Sequence, residues 1–559
     1  MNRLFNRTLL WMLLLLIYGN TSGQLNSQLV IPNLQKHIQI LASDKFEGRE
    51  TGKRGEELSS TYIINQFHEI GLVPKGEQEY LQPFSFTMST TIGPSSAVKI
   101  DNQILEKEKD FFPLGYSSNT TVTGKTINVG YGIIAPKLDY NDYKELKELK
   151  GKIFIMEISS PDHAGPHGKY EEYGDLRTRI DTAISKGAIG IIFINSDKDF
   201  SNPKPEYSNR ISPSKIPVVF IANQNVVDNK NNIKKAEITC ELVKQVGTGH
   251  NIIGYLNNGA ANTIIIGAHY DHLGFGGDGS LYRGETKVHN GADDNASGTA
   301  ALIELARYFK NVPSKNNNYL FIAFSGEEKG LLGSGHFVKQ PTIPLSSVNY
   351  MLNMDMVGRL KTDEPTLLIN GVGTSDAWKI AMDFIKIDSL KIKSTESGVG
   401  PSDHTSFYLK DIPVLHFFSG THSDYHKPSD DESLINYPGE YRILNYMTQL
   451  ISKLDDKGKI SFIKTKDESN EEAPRFKVTL GVVPDYAFEG EGMRIDGISE
   501  GRPAAKAGLK SGDIVVAIGE NKVVDMMSYM KALGKFNKGE TSIVTILREK
   551  KEIKLEIVF

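Results

Sequence analysis

The sequence has one cysteine, Cys240, in 559 residues. That excludes an intramolecular disulfide framework, and it excludes thiolate-built zinc or iron–sulfur sites. Any bound metal must be held by histidine and carboxylate side chains. An excess of one charge is missing as well. Lys and Arg number 64 against 68 Asp and Glu, a formal net charge of −4, which gives nucleic acid or an anionic membrane no overall electrostatic footprint. Beyond residue 20 no apolar run is long enough to span a bilayer, and no repeat of fixed period occurs. What is present, 39% hydrophobic and 24% charged residues, is ordinary globular material. At roughly 100–200 residues per domain the length predicts about three to five domains.

The N-terminus opens with Arg3 and Arg7, continues with the apolar run 9–18 and then turns small and polar up to Gly23. This three-part layout predicts a secretory signal, residues 1–23, cleaved near Gly23 and too short to span a membrane. No cysteine follows it to carry a lipid anchor. The mature chain is expected to be periplasmic, at the cell surface or secreted, with no stable membrane insertion.

From about 30 to 86 apolar residues recur at three-to-four spacing, which predicts packing helices with Gly71 as a C-cap. Between about 92 and 246 the pattern changes to short β-rich runs such as KIFIMEI, AIGIIFIN and IPVVFI, broken by Gly, Pro, Asn and Asp. After Gly247 strand-like runs (TIIIGAH, YLFIAFS, VNYMLNMD, PVLHFF) alternate with helical stretches such as GTAALIELARYFK. That alternation predicts a mostly parallel α/β sheet. Residues 453–477 are charged and poor in large apolar side chains, and read as a linker. The last eighty or so residues return to short strands and turns, a small terminal domain.

In an open α/β sheet, ligands bind beyond the carboxyl ends of the strands, so polar residues that close an apolar run carry weight. Five such places occur: His269, Tyr270 and Asp271; Asp293 and Asp294; Glu327 and Glu328; Asp355; and Tyr425 with His426. Each alone is explained by a cap, a single hydrogen bond or a solvated pair. Converging carboxylates, however, repel one another and lose hydration unless a cation compensates. Nitrogen and oxygen donors without sulfur suit a catalytic zinc. Two histidines and three carboxylates exceed one open site but suffice for two ions sharing a carboxylate. Glu327, next to Glu328, can reach the same space without being consumed by coordination, which suits a general base.

The motifs around these residues, GADDNASG, SGEEKGLLGS, NMDMVG, PSDHTSF and DYHKPSD, resemble in identity and order those of the co-catalytic di-zinc aminopeptidases typified by secreted bacterial leucine aminopeptidases. The resemblance implies an α/β zinc exopeptidase fold, a mostly parallel mixed sheet flanked by helices. It implies two zinc ions, with His269 and Asp355 on one, Glu328 and His426 on the other, and Asp294 bridging. Glu327 would be the general base for the attacking water, and Tyr425 would stabilise the oxyanion. Asp271 would orient His269, with Asp403 a further supporting residue. The substrate would be a peptide or protein with a free N-terminus. The stretch 41–57 (LASDKFEGRETGKRGEE) resembles the N-terminal signature of bacterial members and reads as a helix and capped turn.

Residues 121–245 resemble a protease-associated domain, placed between a first peptidase segment, 24–120, and a second, 246–453. The linker then covers 454–476. Residues 477–559 resemble a PDZ domain, in which the backbone of Leu480, Gly481 and Val482 would receive a peptide C-terminus. His163 and His167 lie on a Pro- and Gly-rich loop without a helical face to align them. A carboxypeptidase or glutaminyl cyclase on the same scaffold stays open, with Arg359 and Arg283 the nearest cations for a carboxylate grip. So does a PDZ-based binding protein with a structural zinc, although a structural site has no use for a spare base.

Overall fold

The computed structural model describes residues 25–162, 169–205, 207, 213–277, 279–312, 316–465, 478–484, 491–498, 502–524, 526–536 and 539–559. Residues 1–23, the histidines at 163 and 167, and 466–476 of the expected linker lie outside the described residues.

The first described elements are helices α1 (Ser27–Leu41) and α2 (Arg54–Ile70). The Asn26 side chain caps α1 by accepting from Gln28 N, and α2 stops at Gly71, whose φ of 79° suits a residue without Cβ. The helical pattern expected to reach residue 86 ends there. Residues 81–86 begin strand β1 (Leu81–Ile92), because Pro83 lacks the N–H a helix interior requires. Phe84 and Phe86 instead alternate inward at strand period.

After the accessory module come β2 (Leu242–Leu256), β3 (Asn262–His269), α3 (Gly298–Asn311), β4 (Asn317–Phe324), α4 (Leu332–Lys339), β5 (Val348–Met354), β6 (Thr366–Asn370), β7 (Lys391–Thr395), β8 (Val414–Phe418) and α5 (Tyr437–Leu454). The strands lie in the order β2-β4-β3-β5-β8-β6-β7, with β1 paired to β2. The central four, β4, β3, β5 and β8, are parallel, while β2 runs antiparallel to β4 and β6 antiparallel to β8, with β7 parallel to β6. β4 and β5 are buried at every position, which is why they read as continuous apolar runs. One face packs Ile264, Phe321 and Leu352 against α1, α3 and α5. The other packs Ile265, Leu320 and Met351 against Phe337 of α4 and Phe407. Parallel direction therefore brings the ends of β3, β4, β5 and β8 to one edge of the sheet.

The accessory module corrects an expected boundary. Its eight-stranded sheet already includes Ala97–Ile100 and Phe111–Pro113, ahead of residue 121, and its last strand is Lys235–Thr239. The reason is register: Ile92 pairs with Leu242 and the ladder runs back to Leu81 with Ile252. β1 and β2 thus form a ribbon that carries the module between residues 93 and 241. The linker boundary shifts too. Ile460 is buried in the main core, Ile460 N donates to Asn349 Oδ1 at 2.9 Å and Thr465 N to Tyr408 Oη at 3.1 Å, so residues 455–465 pack on the α/β domain. Among the described residues the terminal domain is a six-stranded sheet with Val482–Pro484 at one edge, around a separate core that includes Leu480, Ile495 and Val544. Among the described residues no helix is long and apolar enough to cross a membrane.

One buried carboxylate links α1 to α3. Glu304 accepts from Asn33 Nδ2 (3.1 Å) and Arg307 Nε (3.0 Å) and faces His37 Nε2 at 3.4 Å. Burial alone raises its pKa, but the His37, Asn33 and Arg307 contacts overcome this and hold it below the ordinary value of 4.5. A depressed folded pKa contributes stability that is present above the unfolded value and lost as pH falls through the folded one. Glu304→Gln is therefore expected to be less stable than the parent at pH 7, with the gap closing on acidification below about pH 4.5. Urea denaturation of both proteins from pH 7 to 3 checks this, and a gap independent of pH contradicts it.

Candidate active site

The site is assembled from loops that leave the shared strand edge. β3 ends in His269, and the next turn carries Asp271 and His272. Asp294 sits in the irregular turn that leads into α3, where the Asp294–Asn295 peptide is cis. Asn295 Nδ2 donates to Met354 O while its Oδ1 accepts from Gly298 N and Met356 N. Asp430 accepts from both Asp293 N and Asp294 N. These contacts hold the loop after β3 against the end of β5. His426 and Met356, which directly follows Asp355, have φ of 55° and 53°, left-handed backbone that costs a non-glycine residue about 1–2 kcal/mol. Such outliers cluster where function constrains the chain.

Asp294 is central to the geometry. Its Oδ1 lies 3.5 Å from His269 Nε2, which is also 3.2 Å from Asp355 Oδ1. Its Oδ2 lies 3.2 Å from His426 Nε2, which is 3.2 Å from Glu328 Oε2. The two oxygens of one carboxylate thus face two separate donor groups. His269, Asp294 and Asp355 present donor atoms within 4.8 Å of one another, and so do His272, Asp294 and Glu328. Either group could hold a metal ion. His426 Nδ1 is 2.9 Å from Gly279 O, which places the hydrogen on Nδ1 and leaves Nε2 free as a donor atom.

The charges demand a cation. Burial works to lower the His426 pKa, yet the Glu328 and Asp294 carboxylates push it up to about 11. Burial likewise opposes a charged His269, and Asp355 and Glu327 overcome it. With the buried Asp294 and the half-buried Asp355 and Glu328 in one space, the site draws positive charge onto its own imidazoles, and a divalent ion satisfies the same demand while leaving the rings neutral. The residues fit a metal on donor chemistry and on spacing.

Glu327 is not in either donor group, and its N–H donates to Asp271 Oδ1 at 3.2 Å. Burial first, then the Asp355, Glu328 and Asp403 carboxylates, raises its pKa well above 4.5, with His269 opposing. A carboxylate tuned upward in this way is suited to accept a proton near neutral pH. Tyr425 is half-buried, its ring stacked on His426 at 3.9 Å. Burial, then Asp294, Glu328, Glu327 and Asp355, raises its phenol pKa. Asp403 is fully buried with neither oxygen hydrogen-bonded among the described residues. Burial, with Asp271 and Asp355 adding and His269 opposing, brings its pKa to about 7.

Asp271 has several partners. Its carboxylate pairs with His269 Nδ1 at 3.7 Å, and its backbone carbonyl lies 3.2 Å from the same nitrogen. The carboxylate also accepts from Thr51 Oγ1 and from Glu327 N. Asp293 turns away from the donor groups to Gly358 N, Ser297 Oγ and His422. In the terminal domain, Gly481 N donates to Thr479 Oγ1, so of the three backbone groups expected to receive a peptide that of Gly481 is already bonded. Lys427, next to His426, donates from Nζ to Ile498 O of that domain at 3.2 Å.

Three residues escaped the sequence reading. His272 contacts Glu328, Asp430 holds the Asp294 loop, and Arg49 is buried behind both. A third imidazole at a strand end was a visible signal for His272. Asp430 closes the motif DYHKPSD and Arg49 lies within the stretch 41–57, but neither was given a role at the site.

Residues 251–451 match the family model described as Peptidase family M28, and residues 460–558 the one described as PDZ domain. The chain is similar to Aminopeptidase YwaD of Bacillus subtilis, 32% identical over 278 residues that cover 46% of this chain and 55% of that protein. It is also similar to an aminopeptidase of Pseudomonas aeruginosa, 25% identical over 343 residues that cover 59% and 57%. Among solved structures it resembles the aminopeptidase from Aneurinibacillus sp. strain AM-1, with 22% identity, a TM-score of 0.45 and coverage of 78% of this chain and 96% of that one. The chain spans about half the length of the curated relatives it matches. The stretch that builds the donor groups is thus a domain of peptidase family M28, with a PDZ domain C-terminal to it.

Proposed function

We propose that this protein is an exported, two-zinc aminopeptidase that removes N-terminal residues from peptides or proteins. The observation that carries the reading is Asp294, whose two oxygens face two donor groups, with Glu327 beside them and uncommitted to either. His269 and Asp355 would hold one zinc, Glu328 and His426 the other, and Asp294 both. Zinc bound there supplies Lewis acidity to polarise the scissile carbonyl and to acidify a water.

The chain's own residues do the rest. Glu327 takes a proton from the attacking water and passes it to the leaving amine as the carbon–nitrogen bond breaks. The Tyr425 phenol, kept protonated by burial and by its carboxylate neighbours, donates to the oxyanion that forms on the carbonyl oxygen. Asp271 fixes the Glu327 backbone. Arg359, one candidate grip for a substrate carboxylate, has Nη2 held by Asp424 at 3.3 Å, while its Nη1 is buried without a partner among the described residues. The open edge of Val482–Pro484 in the PDZ sheet is suited to take a peptide C-terminus as an added strand, and residues 1–23 would direct export.

The test is hydrolysis of aminoacyl chromogenic substrates paired with N-acetylated controls, before and after chelation. Cleavage of free-amine substrates alone, lost on chelation and restored by zinc, is the expected result. Equal cleavage of the acetylated controls, or none with two zincs bound, overturns it.

A further inference from the structure

The two-zinc reading pairs His426 with Glu328 and leaves His272, which shares a donor group with Asp294 and Glu328, without a task of its own. His272 is 1% exposed, and its Nδ1 lies 2.7 Å from Glu328 Oε1 and 3.9 Å from Asp294 Oδ2. Its Nε2 is buried with no partner among the described residues. A carboxylate can only accept, so the ring atom at 2.7 Å must carry the hydrogen, and Nδ1–H donates to Oε1. The other oxygen, Oε2, faces His426 Nε2 at 3.2 Å. Glu328 is therefore divided: one oxygen is tied to His272, and the other is turned into the space shared with His426 and Asp294.

The backbone is shaped around this ring. Gly291 has a φ of 53°, and a Cβ there would come within 2.5 Å of His272 Cδ2 and 2.6 Å of Cγ, and would strike the Asp294 carbonyl. Only glycine allows the imidazole this close to the loop that carries Asp294. The Gly291 carbonyl is fixed in turn by Arg49 Nη2 at 2.8 Å. The ring is thus clamped between the glycine and the carboxylate.

We infer that His272 is a positioning residue for the second metal position: its Nδ1–H holds Glu328 Oε1, so that Oε2 alone is presented beside His426 and Asp294. The inference rests on the two-zinc reading. Removing the hydrogen-bond partner of a ligating carboxylate typically weakens metal affinity about 10- to 100-fold.

The test compares the full chain with His272→Leu, which removes the donor, and His272→Asn, whose amide N–H can occupy the place of Nδ1–H. Zinc affinity and stoichiometry are read by competition with a chromophoric chelator, and cobalt-loaded samples by visible absorption. The parent is expected to bind two ions. His272→Leu should keep the first and bind the second about 10- to 100-fold more weakly, losing the cobalt absorption of one position, and His272→Asn should restore most of the affinity. If the leucine variant does not fold, His272→Ala, which adds no bulk, is read in its place. Unchanged affinity in the leucine or alanine variant overturns the inference, and so does an equal loss in the asparagine variant, since the N–H would then not be what matters. A parent that fails to bind two ions overturns the two-zinc reading and this inference with it, an outcome visible before any variant is measured.

Discussion

Glu327→Gln is expected to lower kcat about 100- to 10,000-fold, the usual contribution of a positioned acid–base group, with metal content unchanged. The amide keeps the shape of the side chain and cannot accept a proton. Glu327 stands outside both donor groups, so its charge is not needed to hold an ion. Its surroundings argue for proton transfer: burial and three neighbouring carboxylates favour the protonated form, and His269 opposes them. The measurement is kcat on a free-amine substrate together with elemental analysis of the same sample. Retained activity would show that Glu327 is not the base, absence of turnover in the metal-loaded parent would return the site to the structural-zinc alternative, and loss of metal along with activity would make Glu327 part of the metal-holding set. This experiment also separates the catalytic reading from the peptide-binding one, since capture of a peptide by the PDZ domain needs no base.

The second large effect is on stability, at a residue far from the substrate in the chemical sense but directly behind the site. Arg49 is completely buried and donates to four backbone carbonyls: Tyr270 and Leu41 at 2.8 Å, Asn290 at 2.7 Å and Gly291 at 2.8 Å. Burial pushes its pKa down to about 10, and Asp294, Asp430, Asp271 and Glu328 counteract this, so it is charged at neutral pH. One side chain thereby pins the loop 41–49, the turn after β3 and the loop that carries Asp294. Arg49→Leu leaves those carbonyls buried without partners. Hydrogen bonds from a charged donor contribute about 1.5–3 kcal/mol each, and the relief of no longer burying a cation offsets part of the total. A net destabilisation of about 3–5 kcal/mol is expected, measured by urea denaturation with chelator present so that metal binding does not enter. Arg49→Lys should recover little, because an ammonium cannot span four carbonyls set around a planar fork. A loss below about 1 kcal/mol would show that the carbonyls find other partners.

Much of the architecture could be read along the chain because parallel strands buried on both faces announce themselves as unbroken apolar runs, and β3, β4, β5 and β8 are of that kind. His269, Glu328 and Asp355 were readable for the same reason, since each closes or soon follows such a run, whereas Asp294 and His426 lie on longer loops and stood out through the motifs GADDNASG and DYHKPSD. Misreadings came where the local signal was ambiguous. Residues 81–86 carry apolar side chains at a spacing that fits either period, and pairing with β2 made them a strand. The segment 455–465 is polar in composition, yet Ile460 and the backbone groups around it find buried partners on the α/β domain.

The motifs and their order along the chain carried a resemblance to di-zinc aminopeptidases and to a PDZ domain, and that resemblance named His269, Asp294, Glu328, Asp355 and His426 as a group. Their division around the two oxygens of Asp294, the contact of Asp271 with the Glu327 backbone, and the supporting parts played by His272, Arg49 and Asp430 came only with the folded chain. The physical reason is range. Apolar periodicity and the chemistry of a side chain are local properties, carried by a few consecutive residues. Which oxygen meets which nitrogen depends on strand register and on loops hundreds of residues apart, and Arg49 reaches Gly291 across 242 positions of sequence.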